Sequence, residues 1–137
     1  TGVRRALDGT LTAGLVENTY GFGKAFEHFI IAEFHRLNAY LEKDYRMSYL
    51  RTKDNAEIDL IIERPGLPIV LLEIKSGRKA DERDIQTLKA FKNDMGRKTE
   101  CYCLSQDPIP KIIDGIHLLP WQKGFEEIGL APDKFLV

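Results

Sequence analysis

The run Glu57-Ile58-Asp59-Leu60-Ile61-Ile62-Glu63 is followed by Arg64-Pro65-Gly66-Leu67-Pro68 and then by Ile69-Val70-Leu71-Leu72-Glu73-Ile74-Lys75. Both apolar runs have strand length, and the Pro-Gly segment between them is a turn, so they are expected to pair antiparallel. Alternation puts Ile58, Leu60 and Ile62 on one face and Ile61, Ile69 and Leu71 on the other. Strands apolar on both faces belong at the centre of a sheet that is covered on both sides. The chain must therefore supply helices for two layers.

It does so on either side of the hairpin. From Gly21 to Lys43, Phe22, Phe26, Phe29, Ile30, Phe34, Leu37 and Leu41 recur at helical spacing, which predicts a long amphipathic helix with Gly21-Phe22-Gly23 as a tight approach into it. Glu27 falls in or beside that stripe, whereas Lys24, His28, Arg36 and Glu42 face water. Tyr45 to Arg51 is expected to be a strand, and Thr52-Lys53-Asp54-Asn55 a turn. Ser76-Gly77 ends the second hairpin strand. Asp81 to Asp94 is a second helix, with Ile85, Leu88, Phe91 and Met95 spaced for burial, and Lys98 to Leu104 is a strand that returns to the same sheet by a crossover. A short strand over Gly115–Pro120 and a short helix over Trp121–Ile128 follow, with Trp121 anchoring that helix to the core.

The hairpin carries charges that an apolar sheet does not need. Period-two geometry places Glu57, Asp59 and Ile61 on one face, and Leu71, Glu73 and Lys75 on one face of the next strand. Pairing then brings Asp59 beside Glu73, with Lys75 at the rim. An ionised group costs several kcal/mol to bury unless it is paired or bound to a metal, and two neighbouring carboxylates raise each other's proton affinity. Mg²⁺, with Mn²⁺ as its substitute, suits hard oxygen ligands and keeps waters for a substrate phosphate. A metal held by Asp59 and Glu73 would orient water and stabilise charge on a phosphodiester under attack, and Lys75 would hold the water or add positive charge. Glu27 would complete the metal shell, directly or through water, and Gln86, one turn into the second helix, would orient substrate or the lysine. A Glu-x-Lys triplet at a strand end is by itself usually a solvated ion pair. Its place after an aspartate-bearing central strand, with a glutamate in an apolar helix, favours a site. Glu57 rivals Asp59 but sits at the strand entrance, where solvent reaches it.

Composition bounds the rest. At 137 residues, 43% hydrophobic and 30% charged, the chain is an ordinary globular domain. Its net charge of −1 supplies no electrostatic case for nucleic acid. Arg46, Arg51, Lys53, Arg78 and Lys79 are candidate phosphate contacts at the sheet rim. Cys101 and Cys103, two apart in a strand, are expected to be reduced core residues of a cytoplasmic protein, and no second Cys or His cluster joins them to make a zinc site. His28, His35 and His117 are too dispersed for one. No signal peptide or apolar run of membrane-spanning length appears, so no membrane is expected. The chain opens on Thr1, and Thr1 to Leu7 follows no strand or cap, so a piece of a longer protein is expected.

The ordered set Thr1-Gly2-Val3, Gly23-Lys24-Ala25-Phe26-Glu27, Glu57-Ile58-Asp59, Glu73-Ile74-Lys75-Ser76-Gly77 and Leu119-Pro120-Trp121 resembles the PD-(D/E)XK nuclease superfamily. More closely, it resembles the uncharacterised C-terminal domain of prokaryotic AAA-type ATPases, over nearly the whole chain. The resemblance implies an α/β, restriction-endonuclease-like α-β-β-β-α-β core with a central mixed sheet flanked by helices. It implies Asp59, Glu73 and Lys75 at the metal and catalytic positions and Glu27 as the first-helix acid. Ile58 stands where the superfamily usually has proline. The resemblance also implies upstream ATP-binding and winged-helix regions, and no phosphate loop occurs in this chain. Residues 1–20 would be the tail of the preceding region and a loop, with Leu7, Leu11 and Leu15 packing, and residues 21–137 a single domain. Phe135-Leu136-Val137 would dock on the core or a partner. The expected function is Mg²⁺-dependent hydrolysis of DNA by a nuclease-like domain of a larger ATPase, monomeric or homo-oligomeric. The alternative is an inactive nucleic-acid-binding or regulatory appendage of that ATPase.

Overall fold

The structure, a computed structural model, describes residues 19–54, 56–95 and 98–130. The expectations placed on residues 1–18 and on Phe135-Leu136-Val137 lie outside the described residues. Helix α1 (Tyr20–Tyr40) buries Phe22, Phe26, Ile30, Phe34 and Leu37, the spacing of one helical face. Its start is fixed by Thr19, whose extended backbone lets the side-chain Oγ1 accept the Phe22 N–H at 3.2 Å. Gly21 and Gly23 therefore lie inside the first turns, a correction to the expected approach loop. The helix also stops short of Lys43. Glu42 and Asp44 take positive φ, and Asn38 pairs with both backbone groups of Tyr45 at 2.9 Å, which turns the chain into the first strand.

Strands β1 (Arg46–Arg51), β2 (Glu57–Glu63), β3 (Ile69–Ile74), β4 (Thr99–Ser105), β5 (Lys111–Ile113) and β6 (Ile116–Pro120) form one mixed sheet in the order β1-β2-β3-β4-β6-β5. β1, β2 and β3 are antiparallel neighbours, β3-β4-β6 run parallel, and β5 returns antiparallel on β6. The crossover from β3 to β4 carries a 3-10 turn over Glu82–Ile85 and helix α2 (Gln86–Asp94), not the single helix expected from Asp81. Asp81 and Asp84 close a reciprocal capping box there, satisfying two N–H donors that the helix start leaves open. Helix α3 (Trp121–Ile128) follows β6 and has the expected bounds.

Each face of the sheet has its own core. α1 and α3 cover one face, where Phe26, Phe34, Leu60, Ile62, Val70, Leu72, Leu104 and Phe125 pack together. Trp121 anchors α3 as expected, meeting Phe26 and Phe125 edge-on at 6.5 and 6.2 Å. α2 covers the other face, over Ile58, Ile69, Leu71, Cys101, Cys103 and Ile116. The mixed α/β sandwich thus follows the expected α-β-β-β-α-β order, extended by β5, β6 and α3.

Two details differ from the regular pattern. Ile58 packs under α2, opposite to Leu60 and Ile62, where alternation puts all three together. Between the pairs Ser48↔Ile61 and Leu50↔Ile58, β2 advances three residues while β1 advances two. The extra residue is a bulge, and it reverses the face on which the strand's N-terminal end presents its side chains. The unexpected strand β5 is joined to β6 by Asp114-Gly115, both at positive φ, the two-residue hairpin turn that matches strand twist.

Candidate active site

The bulge sits where two strands part. β2 and β3 pair from Ile62↔Val70 to Leu60↔Leu72, and beyond that point β2 continues with β1 alone. Lys75 N–H, the next donor after β3, bonds to Leu104 of β4 at 2.9 Å. Backbone donors alternate in direction along a strand, so the Ile74 N–H faces the gap that β2 has left. The Asp59 carboxylate fills that gap, its Oδ2 accepting the Ile74 N–H at 2.7 Å. An unpaired amide there would be costly, which explains why a hydrogen-bonding side chain follows Ile58.

Glu73 lies in a strand buried along its full length and is 8% exposed. Lys75 Nζ stands 3.7 Å from Glu73 Oε2, but Glu73 Oε1 is buried with no hydrogen-bond partner. Burial pushes the Glu73 carboxyl up to about 7. Lys75 opposes that rise, and Glu27 and Glu57 add to it. Asp59 is raised strongly in the same direction, first by burial, then by the charge of Glu73 and by a hydrogen bond to Glu27, with the Ile74 amide acting the other way. The expected neighbours are therefore electrostatic neighbours. Glu27 joins from α1, where Lys24 Nζ lies 3.6 Å from its Oε1.

Gln86 does not join them. Its exposed side chain donates to Glu82 O at 2.7 Å, across the junction between the 3-10 turn and α2, and it lines neither cavity at the carboxylates. Glu57 pairs with Arg51, whose Nε donates to its Oε1 at 2.7 Å, and both line a cavity together with Asp59.

Among the described residues, no group of three or more His, Cys, Asp and Glu side chains is gathered as a metal cage. Mg²⁺ does not require one, since it is commonly held by one or two carboxylates with water and substrate oxygens completing its shell. Two desolvated carboxylates, one with an orphaned oxygen, fit a hard divalent cation in donor type and charge. Asp59 and Glu73 would hold it, with Glu27 reaching it directly or through water.

Two adjoining cavities share Lys24 and Glu27; Asp59 lines the larger and Lys75 the smaller, while the buried Glu73 lines neither. The larger, about 320 Å³, runs between α1 and the β1–β2 pair, past Ile31, His35, Met47, Tyr49 and Asp59. The smaller, about 200 Å³, runs past Tyr20, Ile74, Lys75 and Ser76. Sequence reasoning missed Tyr20, His35 and Tyr49 here and assigned Lys24 to bulk solvent. A signal for part of it was present, because Lys24, Glu27, Ile31 and His35 fall on one helical stripe.

The loop after Lys75 is held by the segment that follows β4 and by Lys111 of β5. Gln106 Nε2 donates to Ser76 O at 2.6 Å, and its backbone N–H donates to Gly77 O at 3.0 Å. Asp107 accepts from Ala80 N at 2.9 Å and from Lys111 Nζ at 2.7 Å. Cys101 and Cys103 are unbonded and buried under α2, as expected of reduced core residues.

No curated protein matches the chain. Among solved structures, a repair endonuclease from Pyrococcus abyssi is similar over 82% of this chain and 46% of its own, with 21% identity and a TM-score of 0.42, so the chain spans less than half of that protein's length. The family model described as Domain of unknown function (DUF4143) matches residues 22–123, and the chain belongs to that family.

Proposed function

We propose that this domain hydrolyses phosphodiester bonds in DNA with the help of Mg²⁺, for which Mn²⁺ substitutes, as a module of a larger cytoplasmic ATPase. The observation that carries the reading is the half-buried Asp59 next to the buried Glu73, whose Oε1 has no partner, beside Lys75 at the parting of β2 and β3. Bound there, the cation supplies Lewis acidity toward a phosphoryl oxygen and a more acidic water. Asp59 and Glu73 fix its place, and Asp59 is itself fixed by the Ile74 amide. Lys75, 42% exposed in its side chain and leaning on Glu73, offers positive charge to the phosphate and a donor to the attacking water. Glu27 orients Lys24 toward the same space. The reduced cysteines suit a cytoplasmic setting, and among the described residues no helix is long and apolar enough to cross a membrane.

Incubation with plasmid and linear DNA in Mg²⁺ or Mn²⁺ tests the proposal. Cleavage is expected, and Asp59→Ala, Glu73→Ala and Lys75→Ala should each lower it by at least roughly a hundredfold, the scale on which electrostatic catalytic groups act. Cleavage that persists unchanged in Asp59→Ala and Glu73→Ala refutes it. A second reading, an inactive binding or regulatory appendage of the ATPase, is favoured by the Asp59–Ile74 bond, which gives that carboxylate a structural task of its own.

A further inference from the structure

The two cavities at the carboxylates carry an exposed aromatic ring on each side. Tyr49, 76% exposed, lines the larger and Tyr20, 81% exposed, lines the smaller. Neither ring packs in the core, and an exposed tyrosine at each of two adjoining cavities is more than scattered surface hydrophobicity. Lys24 belongs to both cavities, 5.8 Å from the centre of the Tyr20 ring, so a cation stands between the aromatic groups.

The charges decide what kind of ligand suits this trough. Lys24 is paired with Glu27, Arg51 with Glu57 and Lys75 with Glu73. Duplex DNA is held mainly by neutralising its phosphates with free cations. Here each of these cations already faces a carboxylate, and the whole chain carries a net charge of −1. A single strand has the lower charge density and asks less of those cations, and it adds stacking of its unpaired bases on aromatic rings, for which every base offers a face. A duplex keeps its base faces hidden, whereas an unpaired strand presents them.

We infer that the trough binds a single nucleic-acid strand, with Tyr49 and Tyr20 as base-stacking platforms on either side of the carboxylates. The inference deepens the phosphodiesterase reading and rests on it for the choice of ligand. The strand's backbone passes Lys24 and Lys75, and His35 and Ser48 supply polar groups along the wall of the larger cavity.

Fluorescence anisotropy on the full 137-residue chain tests it, with labelled dT12, U12 and the dT12–dA12 duplex in Ca²⁺, and with Tyr49→Ala and Tyr20→Ala. Both tyrosines are exposed, so the variants should fold. One of the single strands should bind at least roughly tenfold tighter than the duplex, and each alanine variant should weaken that binding by roughly tenfold, within the range measured for single base–aromatic stacks. Tyr49→Phe should bind as wild type. Equal or tighter binding of the duplex, unchanged binding by both alanine variants, or no binding of any of the three overturns the inference. Cleavage in Mg²⁺ keeps the two readings apart. Tyrosine-dependent strand binding without cleavage leaves this inference standing and removes the nuclease. Cleavage of duplex DNA that ignores both tyrosine changes does the reverse.

Discussion

Replacing Glu73 with glutamine should make the metal-free protein more stable at alkaline pH, although it damages the proposed site. In the native state the Glu73 carboxyl is pushed from an ordinary 4.5 up to about 7, chiefly by burial. Each tenfold difference in proton affinity between folded and unfolded chains is about 1.4 kcal/mol. The gap therefore amounts to about 3 kcal/mol as an upper bound, and relaxation around the site brings the expected figure to about 1–2 kcal/mol. The sign follows from proton binding. A carboxyl whose native affinity for the proton is raised contributes stability that is complete below pH 4.5 and is lost as the pH rises through 7. Glutamine keeps the shape and cannot ionise. The difference in unfolding free energy, Glu73→Gln minus wild type, should thus climb by about 1–2 kcal/mol between pH 4.5 and 8.5. Urea unfolding in EDTA, at a series of pH values with tryptophan fluorescence from Trp121, measures it. Repeating the series with Mg²⁺ should stabilise wild type at pH 8.5 by more than the variant, which has lost one of the charged ligands, because a ligand stabilises a protein in proportion to how tightly the folded form binds it. A difference that stays flat with pH means that the buried carboxylate is not under the electrostatic load argued here, and the reasoning for a cation site fails with it.

Gly124 of α3 packs so tightly on β4 that an added Cβ would lie 2.5 Å from Leu104 Cδ1 and 2.6 Å from Cδ2. Gly124→Ala should therefore lower stability by about 1–3 kcal/mol in thermal unfolding, despite alanine's better helix propensity, and a stabilised variant contradicts the packing. Burial pushes the Cys103 thiol up to about 12 and raises Cys101 as well. Both should resist a thiol reagent at pH 8 until denaturant is added, and rapid labelling of the native chain disproves their burial.

Much of the scaffold is legible from local pattern. The apolar faces of 57–63 and 69–75 demand two covering layers, and the spacing of Phe22, Phe26, Ile30 and Phe34 supplies one of them. The bulge in β2 is not legible, because alternation assumes a regular strand and the extra residue is defined only by pairing with β1. β5 escaped because three residues between Pro110 and Asp114 make a weak strand signal, although Asp114-Gly115 between Ile113 and Ile116 is itself a strong hairpin cue. At the site, Asp59, Glu73 and Lys75 are legible because charge in an apolar strand is anomalous. Tyr20 and Tyr49 are not. Nothing in sequence tells an exposed ring that flanks a cavity from one that merely meets water.

The bond from the Ile74 amide to Asp59 makes the sheet's seam and the site's ionisation one object. A neutral carboxylic acid is a poorer acceptor than a carboxylate, so protonating Asp59 loosens the end of β3 where the two strands diverge. A single backbone hydrogen thereby becomes a reporter. Its protection against exchange with deuterated solvent, taken relative to the intrinsic base-catalysed rate at each pH, should follow the charge state of the pocket, with no substrate and no turnover required.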